Sequence, residues 1–224
     1  MLTQKKALLL CGSPKVKDSV SDALGSYVMS KLQAEDWGVQ KFRANLVMKV
    51  DFEAFYAAVR EADVIVISFP LYVDGLPAPL IRIMERIKEG YREQDTGKEQ
   101  RLLAIANCGF PEAFHNDAAL RICKSFAEVC GFQWIGGLAT GTGPAMVGQS
   151  IKAQGMTQRI AQALDLAAAA IINNSVMAPE ASQLMSSKMM PKRLYTFIGS
   201  LGWRYSAKKF KAYNKLYAKP YKKE

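Results

Sequence analysis

Five short stretches of the chain have the pattern of β-strands, and each is followed by a polar loop and then by helical spacing. The first and third are apolar almost without interruption, which is typical of strands buried on both faces inside a parallel sheet. The predicted strands span residues 6–11, 39–43, 63–69, 101–107 and 132–138.

Between the strands, apolar residues recur at the spacing of amphipathic helices. Val20, Leu24, Val28 and Leu32 repeat every four residues after the first strand. The first predicted helix begins at residue 20. The other predicted helices span residues 52–62, 80–91, 117–130 and 156–174. This alternation predicts an α/β fold with a doubly wound, five-stranded parallel sheet. In the strand order 2-1-3-4-5, the loops after the first, third and fourth strands open on one crevice, where such sheets bind ligands.

Charge is distributed unevenly along the 224 residues. The net charge is +10, yet residues 1–187 hold 19 basic and 19 acidic residues. Residues 188–224 hold 11 basic residues and one acid, so the whole excess lies there. We therefore predict a ligand-binding domain over residues 1–178, followed by a linker and a helical basic extension over residues 179–224.

The extension also carries eight aromatic residues: Tyr195, Phe197, Trp203, Tyr205, Phe210, Tyr213, Tyr217 and Tyr221. A helix would place Phe210, Tyr213, Leu216 and Tyr217 on one face, with most lysines elsewhere. Three interpretations remain open: packing on the body or on a second subunit, contact with an anionic membrane surface, and binding to nucleic acid. No specific nucleic-acid partner is predicted.

Several common features are missing from the sequence. The chain runs directly into the first strand without the pattern of a secretory signal, and no stretch resembles a membrane span. The four cysteines have no CxxC spacing and are expected to be buried free thiols in a reducing compartment. With His115 as the only histidine, no metal site is expected. These observations predict a cytoplasmic protein.

The loop after the first strand has the composition of a phosphate site. It combines backbone N–H groups at a helix start with hydroxyls and cations, namely Ser13, Lys15, Lys17, Ser19 and Ser21. Neither the GxxxxGK[ST] pattern nor the GxGxxG pattern is present. The alternative is that these serines only cap the helix.

Three blocks of sequence resemble the NADPH-dependent FMN reductase group of flavodoxin-like proteins. They are Gly12–Lys15 with Ser19 and Ser21, then Pro70-Leu71-Tyr72 with Gly75-Leu76-Pro77, and then 107–112. The likeness covers roughly residues 5–175. The chain departs from the group at Val20, where a hydroxyl residue is usual, and at Val73, where a tryptophan often stands.

The resemblance implies a role for each block. The first would hold the FMN phosphate through Ser13, Lys15, Ser19, Val20 and Ser21. The second would wrap the ribityl chain and the flavin edge through Pro70, Leu71, Tyr72 and Val73. The third, Asn107, Cys108, Gly109 and Phe110, would lie at the flavin pyrimidine, with the N–H groups of Cys108 and Gly109 as donors.

The implied function is an FMN-dependent NAD(P)H oxidoreductase with NADPH or NADH as co-substrate and a small-molecule electron acceptor. Since flavin carries the chemistry, no catalytic side chain is predicted. The alternative is a non-enzymatic electron carrier or interaction module that docks through its basic extension. Glycine- and proline-rich loops around the crevice, with the general prevalence of two-fold oligomers, predict a homodimer.

Overall fold

The structure is a computed structural model that describes residues 4–93, 98–152, 154–219 and 221. Residues 1–3, on which the expectation about a secretory signal bears, lie outside the described residues. So do residues 220 and 222–224 of the basic extension.

One parallel sheet forms the centre of the fold. Its strands are β1 (Lys6–Cys11), β2 (Gly38–Arg43), β3 (Val64–Pro70), β4 (Arg101–Asn107) and β5 (Gln133–Thr140). All neighbours pair in parallel, in the order β2-β1-β3-β4-β5. The predicted fold class and strand order are therefore confirmed.

Helices alternate with the strands, and two of them were not predicted. The helices are α1 (Val20–Ala34), α2 (Ala44–Val50), α3 (Phe52–Glu61), α4 (Ala78–Glu93), α5 (Asp117–Cys130), α6 (Gln158–Ile172), α7 (Pro179–Ser186) and α8 (Lys192–Lys209). The short α2 is too brief to show a helical period.

A linker was predicted at the start of residues 179–224, but residues 179–186 form helix α7. This helix packs against β5 and α6 and buries Ala181 and Met185. Pro179 occupies its first turn, where proline has no N–H to leave unpaired. At this position a proline favours a helix start.

The two faces of the sheet have different packing. Alternate side chains such as Leu8, Leu10 and Ile67 lie in one core with α3, α4 and α5. On the opposite face α1 lies very close to the sheet at Gly25. A Cβ there would stand 2.5 Å from Leu9 Cδ1, so this close approach requires glycine.

The carboxyl ends of the strands are aligned by register. Cys11 pairs with Ser68, Pro70 with Asn107, and Asn107 with Thr140. The loops that follow β1, β3, β4 and β5 therefore start at one edge of the sheet.

The chain divides into two compact units, Met1–Lys188 and Met189–Glu224. The second contains α8, so the basic extension is helical as expected. The helical face predicted for Phe210, Tyr213, Leu216 and Tyr217 is wrong. Lys211 adopts a left-handed φ of 54°, and within the described residues beyond it a single 3-10 turn follows, at Tyr213–Lys215.

Candidate functional site

A crevice of about 200 Å³ opens at the carboxyl edge of the sheet. It is bordered by the loops after β1, β3, β4 and β5. Eleven of the thirteen predicted binding residues line it: Ser13, Lys15, Ser19, Val20, Ser21, Pro70, Leu71, Tyr72, Asn107, Cys108 and Gly109. Three loops that are far apart in sequence thus meet in one place.

The loop after β1 ends at a well-formed helix cap. Ser19 Oγ accepts the N–H of Asp22 at 3.2 Å, as expected for an N-cap serine. Ser13 Oγ accepts the N–H of Lys15 at 3.3 Å. The capping interpretation is therefore correct for Ser19, but it accounts for only one lone pair of that hydroxyl.

Hydrogen-bond donors at this end of the crevice are unpaired. The backbone N–H groups of Val20 and Ser21 have no acceptor among the described residues. The hydroxyl hydrogens of Ser13, Ser19 and Ser21 have none there either. All three serines are buried. Buried donors normally have partners, so this cluster is suited to an anion that accepts several hydrogen bonds.

Arg43, at the end of β2, holds the loop in place. Its guanidinium donates to the carbonyl oxygen of Lys15 at 2.8 Å and lies 3.1 Å from Asp22 Oδ2. Lys41 also pairs with Asp22. The sequence analysis missed Arg43, because its position depends on the parallel pairing that sets it beside Cys11.

Asn107 joins two of the loops. Its side-chain amide donates to Ser21 Oγ at 2.7 Å and to the carbonyl oxygen of Phe69 at 3.1 Å. Ser68 Oγ donates to the carbonyl oxygen of Ser21 at 2.7 Å. The start of α1 is therefore tied to the ends of β3 and β4 by buried bonds.

The loop after β3 forms a tight hairpin from Tyr72 to Gly75. These two residues exchange N–H···O bonds of 3.0 Å in both directions. Val73 and Asp74 between them have left-handed φ values of 49° and 55°. Tyr72 faces the crevice, whereas Val73 is fully exposed at the tip and does not line it. The structure therefore does not bring Val73 into the crevice with the other predicted residues.

Two predictions about the loop after β4 also need correction. The Cys108 N–H is not available to a ligand, because it donates to the carbonyl oxygen of Thr140 at 3.1 Å. Phe110 does not line the crevice and instead stacks on His115, with ring centroids 4.2 Å apart. The ring of Phe114 also stacks on His115, with ring centroids 4.4 Å apart. His115 is thus held in an aromatic cluster beside the crevice.

The Cys108 thiol is poorly suited to redox chemistry. Burial raises its pKa above the ordinary value of 9.0, although hydrogen bonds with the Phe110 backbone and the Asn116 side chain oppose this. The thiolate is the reactive form, and a raised pKa keeps its population small at neutral pH. No group of three or more side chains able to hold a metal ion occurs among the described residues.

Four residues that line the crevice were not predicted: Asp18, Gly143, Pro144 and Val147. The last three belong to the glycine-rich loop after β5. Asp18 adopts a left-handed φ of 54°, and its carboxylate faces the same space as Lys15. A left-handed aspartate is a recognised loop feature, but a single sequence gave no indication of it.

The residues present fit a phosphate monoester that carries a larger group. The unpaired donors and Lys15 lie at one end, and Leu71 and Tyr72 offer apolar surface further along. The enclosed volume is smaller than that of most pockets for drug-sized ligands, which hold roughly 300 Å³ or more. A flavin nucleotide would therefore be only partly enclosed, with part of its ring exposed.

Solved structures with the same fold include several redox proteins. The chain aligns with an NADH:FMN oxidoreductase in its apo form at 14% identity, a TM-score of 0.60, and coverage of 85% of this chain and 98% of that one. An NADPH-quinone reductase from P. pentosaceus aligns at 16% identity and a TM-score of 0.53, covering 74% and 98%. Rubredoxin oxygen:oxidoreductase from Desulfovibrio gigas aligns at 10% identity and 0.53, covering 83% and 38%. At such identities these likenesses establish the fold alone.

No curated protein sequence matches the chain. Residues 5–166 match the family described by its flavodoxin-like fold. The match spans most of the chain and includes the three sequence blocks and the crevice between them. It also agrees with the resemblance inferred from those blocks. The chain therefore belongs to the flavodoxin-like fold family.

Proposed function

We propose that this chain is an FMN-dependent oxidoreductase that takes reducing equivalents from NADPH or NADH and passes them to a small-molecule acceptor. One observation supports it above the others. A cluster of buried, unpaired donors with Lys15 beside it lies at the end of a crevice that continues past Tyr72 to Asn107. A helix start with free N–H groups favours a phosphate, and the crevice beyond offers room for an attached group.

The phosphate would be held by the chain's own donors. The N–H groups of Val20 and Ser21 and the hydroxyls of Ser13 and Ser19 would donate to its oxygens. Lys15 would contribute positive charge, partly offset by Asp18. Val20 has no hydroxyl, so its backbone N–H is its contribution.

The rest of the nucleotide would lie along the second and third loops. Leu71 and the face of Tyr72 would contact the ribityl chain and the ring edge. Asn107, Cys108 and Gly109 would border the pyrimidine side. Because Cys108 N–H is already paired with Thr140, this segment contributes shape there and not that donor.

When bound, FMN supplies the redox chemistry, accepting a hydride from the nicotinamide and releasing electrons to the acceptor. The chain has to orient the ring and leave one side of it open. The limited depth of the crevice meets the second requirement. The similar structures of an NADH:FMN oxidoreductase and an NADPH-quinone reductase support the same class of activity.

Anaerobic titration with NADPH and NADH tests the proposal. The protein loaded with FMN should lose its visible flavin absorbance with at least one nicotinamide and regain it when a quinone is added. The alternative, a non-enzymatic electron carrier, would bind FMN but would not be bleached by either nicotinamide. Absence of flavin binding would reject both.

The chain is further proposed to form a homodimer through α4 and α5. Their outer faces form an apolar groove that includes Ile81, Ile122 and Val129, each substantially exposed. Glu85 and Lys88 also line this groove, one helical turn apart. In a two-fold dimer, Glu85 of one subunit would pair with the lysine at position 88 of the other, and the reverse pair would form as well. Light scattering should give twice the chain mass, and Ile122→Glu should give the monomer mass.

A further inference from the structure

Helix α8 carries a continuous apolar stripe that is exposed along its length. Leu194, Phe197, Ile198, Leu201 and Tyr205 recur at intervals of three and four residues, so they share one side of the helix. Each is about half exposed or more, from 48% at Leu194 to 73% at Tyr205. No residue of α8 is buried. An exposed apolar stripe of five large side chains is unusual for a surface helix.

Cations border this stripe on both sides. At about 100° per residue, Arg193 and Arg204 fall along one edge and Lys209 along the other. Lys208 lies at the C-terminal end of the stripe itself. Residues 189–219 and 221, the described part of this unit, contain eight lysines and arginines and no acid. The unit therefore has a strong charge preference for an anionic surface.

The opposite side of α8 is different in character. Thr196, Ser200 and Ala207 are small, and Gly199 and Gly202 have open space where a Cβ would stand. Lys192 and Trp203 are large residues on this side, and Tyr195 lies next to Gly202. The helix thus has an apolar side edged by cations, and an opposite side of mostly small residues that also carries one cation and one indole ring.

We propose that the unit of residues 189–221 binds the surface of an anionic phospholipid bilayer, with α8 lying in the interface. The apolar stripe would insert among the acyl chains, and the flanking cations would contact the headgroups. Tyr205 and the exposed aromatics beyond α8, including Tyr213 and Tyr217, suit the headgroup level. No helix in the described parts of the chain is long and apolar enough to cross a membrane.

The arrangement favours lipid over single-stranded nucleic acid. Strand binding uses aromatic rings and cations together on the contact face. Here three of the five stripe residues, Leu194, Ile198 and Leu201, are aliphatic and cannot stack on bases. Arg193, Arg204 and Lys209 stand at the margins, where headgroups would lie.

Vesicle sedimentation with the full chain tests the proposal. The probes are vesicles of phosphatidylglycerol mixed with phosphatidylcholine, and vesicles of phosphatidylcholine alone. We expect binding to the anionic vesicles that weakens as salt rises, because the Debye length falls from about 10 Å at 0.1 M to about 3 Å at 1 M. The affinity for neutral vesicles should be at least roughly tenfold lower than the affinity for anionic vesicles.

Two matched double variants separate the stripe from general charge. Leu194→Gln with Leu201→Gln removes apolar surface without changing charge and should weaken binding by about tenfold or more. Thr196→Gln with Ser200→Gln makes the same number of changes on the opposite side and should leave binding within about twofold. Melting temperatures and light scattering on both variants accompany the binding data.

Four results would overturn the proposal. The first is no sedimentation with anionic vesicles at low salt. The second is equal loss of binding in both double variants. Another is binding to a single-stranded oligonucleotide that is tighter than binding to vesicles and is unchanged in the stripe variant. The last is a stripe variant whose melting temperature is lower than that of the unchanged protein, or whose mass in solution differs from it, which would show that the stripe packs on protein.

Discussion

The amide nitrogen of Asn107, at the end of β4, lies 2.7 Å from the hydroxyl oxygen of Ser21, in the first turn of α1. These residues are 86 positions apart in the chain. The same amide also donates to the carbonyl oxygen of Phe69 at 3.1 Å. One buried side chain therefore joins the ends of β3 and β4 to the predicted phosphate loop.

Asn107→Ala should destabilise the protein and weaken FMN binding together. Removing the amide leaves Ser21 Oγ and the Phe69 carbonyl without this donor in a buried setting. The expected loss is about 1–3 kcal/mol in the free energy of unfolding, measured by urea denaturation. Asn173→Ala, at an exposed helix end, is the control and should lie within about 0.5 kcal/mol of wild type. Equal effects from both substitutions would mean that the amide is unimportant.

Ser19 offers a way to separate capping from phosphate binding. Ser19→Asp preserves an N-cap acceptor, so helix stability should be retained. The added carboxylate would repel a phosphate, so FMN affinity should fall by about a hundredfold or more. Fluorescence quenching of FMN and thermal melting measure the two effects.

Ser13→Ala combined with Ser19→Ala should weaken FMN binding as well. Each hydroxyl lost beside a charged phosphate should cost about 1.5–3 kcal/mol of binding free energy. Ser30→Ala is the matched control, because Ser30 is exposed and its hydroxyl bonds only within α1. An unchanged dissociation constant for the double variant would show that the serines serve as caps alone.

Arg43→Gln should loosen the predicted phosphate loop. The guanidinium bonds to the carbonyl oxygen of Lys15 and to Asp22, whereas Lys41 reaches only Asp22 of these two. We expect about a tenfold loss of FMN affinity for Arg43→Gln and a smaller loss for Lys41→Gln. Calorimetry on both variants makes the comparison, and the reverse order would contradict the assigned role of Arg43.

Stability should fall on the alkaline side because of buried thiols. Burial raises the pKa of Cys123 to about 12 and that of Cys130 to about 11, from an ordinary value of 9.0. Above pH 9.0 the unfolded chain loses these protons while the folded protein keeps them, so the free energy of unfolding decreases as pH rises. The slope should approach about 1 kcal/mol per pH unit for each thiol.

Urea denaturation between pH 7 and 10.5 measures this slope. Cys123→Ala with Cys130→Ala should be less stable at pH 7 but should show a flatter decline above pH 9. The same slope in wild type and variant would assign the alkaline loss to other groups.

Much of the fold was predictable because the strands are buried on both faces. β1 and β4 begin and end at the predicted residues, and the order of the sheet follows from the alternation of strands and helices. The short α2 and the proline-initiated α7 were missed, since neither shows enough helical period. The extension's helix was placed too late, because the aromatic spacing beyond Phe210 suggested a helix that the left-handed Lys211 interrupts.

Site residues within one strand-loop-helix segment were predictable from the sequence. Residues whose position depends on which strands pair in the sheet were not. Ser13, Ser19 and Ser21 follow directly from the strand-loop-helix pattern. The role of Arg43 depends on which strand lies beside β1, and the bond from Asn107 to Ser21 depends on the whole sheet. The position of Val73 at a hairpin tip was not predictable, because a β-branched residue rarely adopts the positive φ found there.

Comparing FMN with riboflavin and FAD tests the central claim most directly. The apo protein is titrated with each compound, and binding is followed by quenching of flavin fluorescence. If the donors around Ser13, Val20 and Ser21 hold a phosphate monoester, FMN should bind about a hundredfold more tightly than riboflavin, which lacks the phosphate, and more tightly than FAD. Equal affinities for FMN and riboflavin, or no binding of any flavin, would contradict the account.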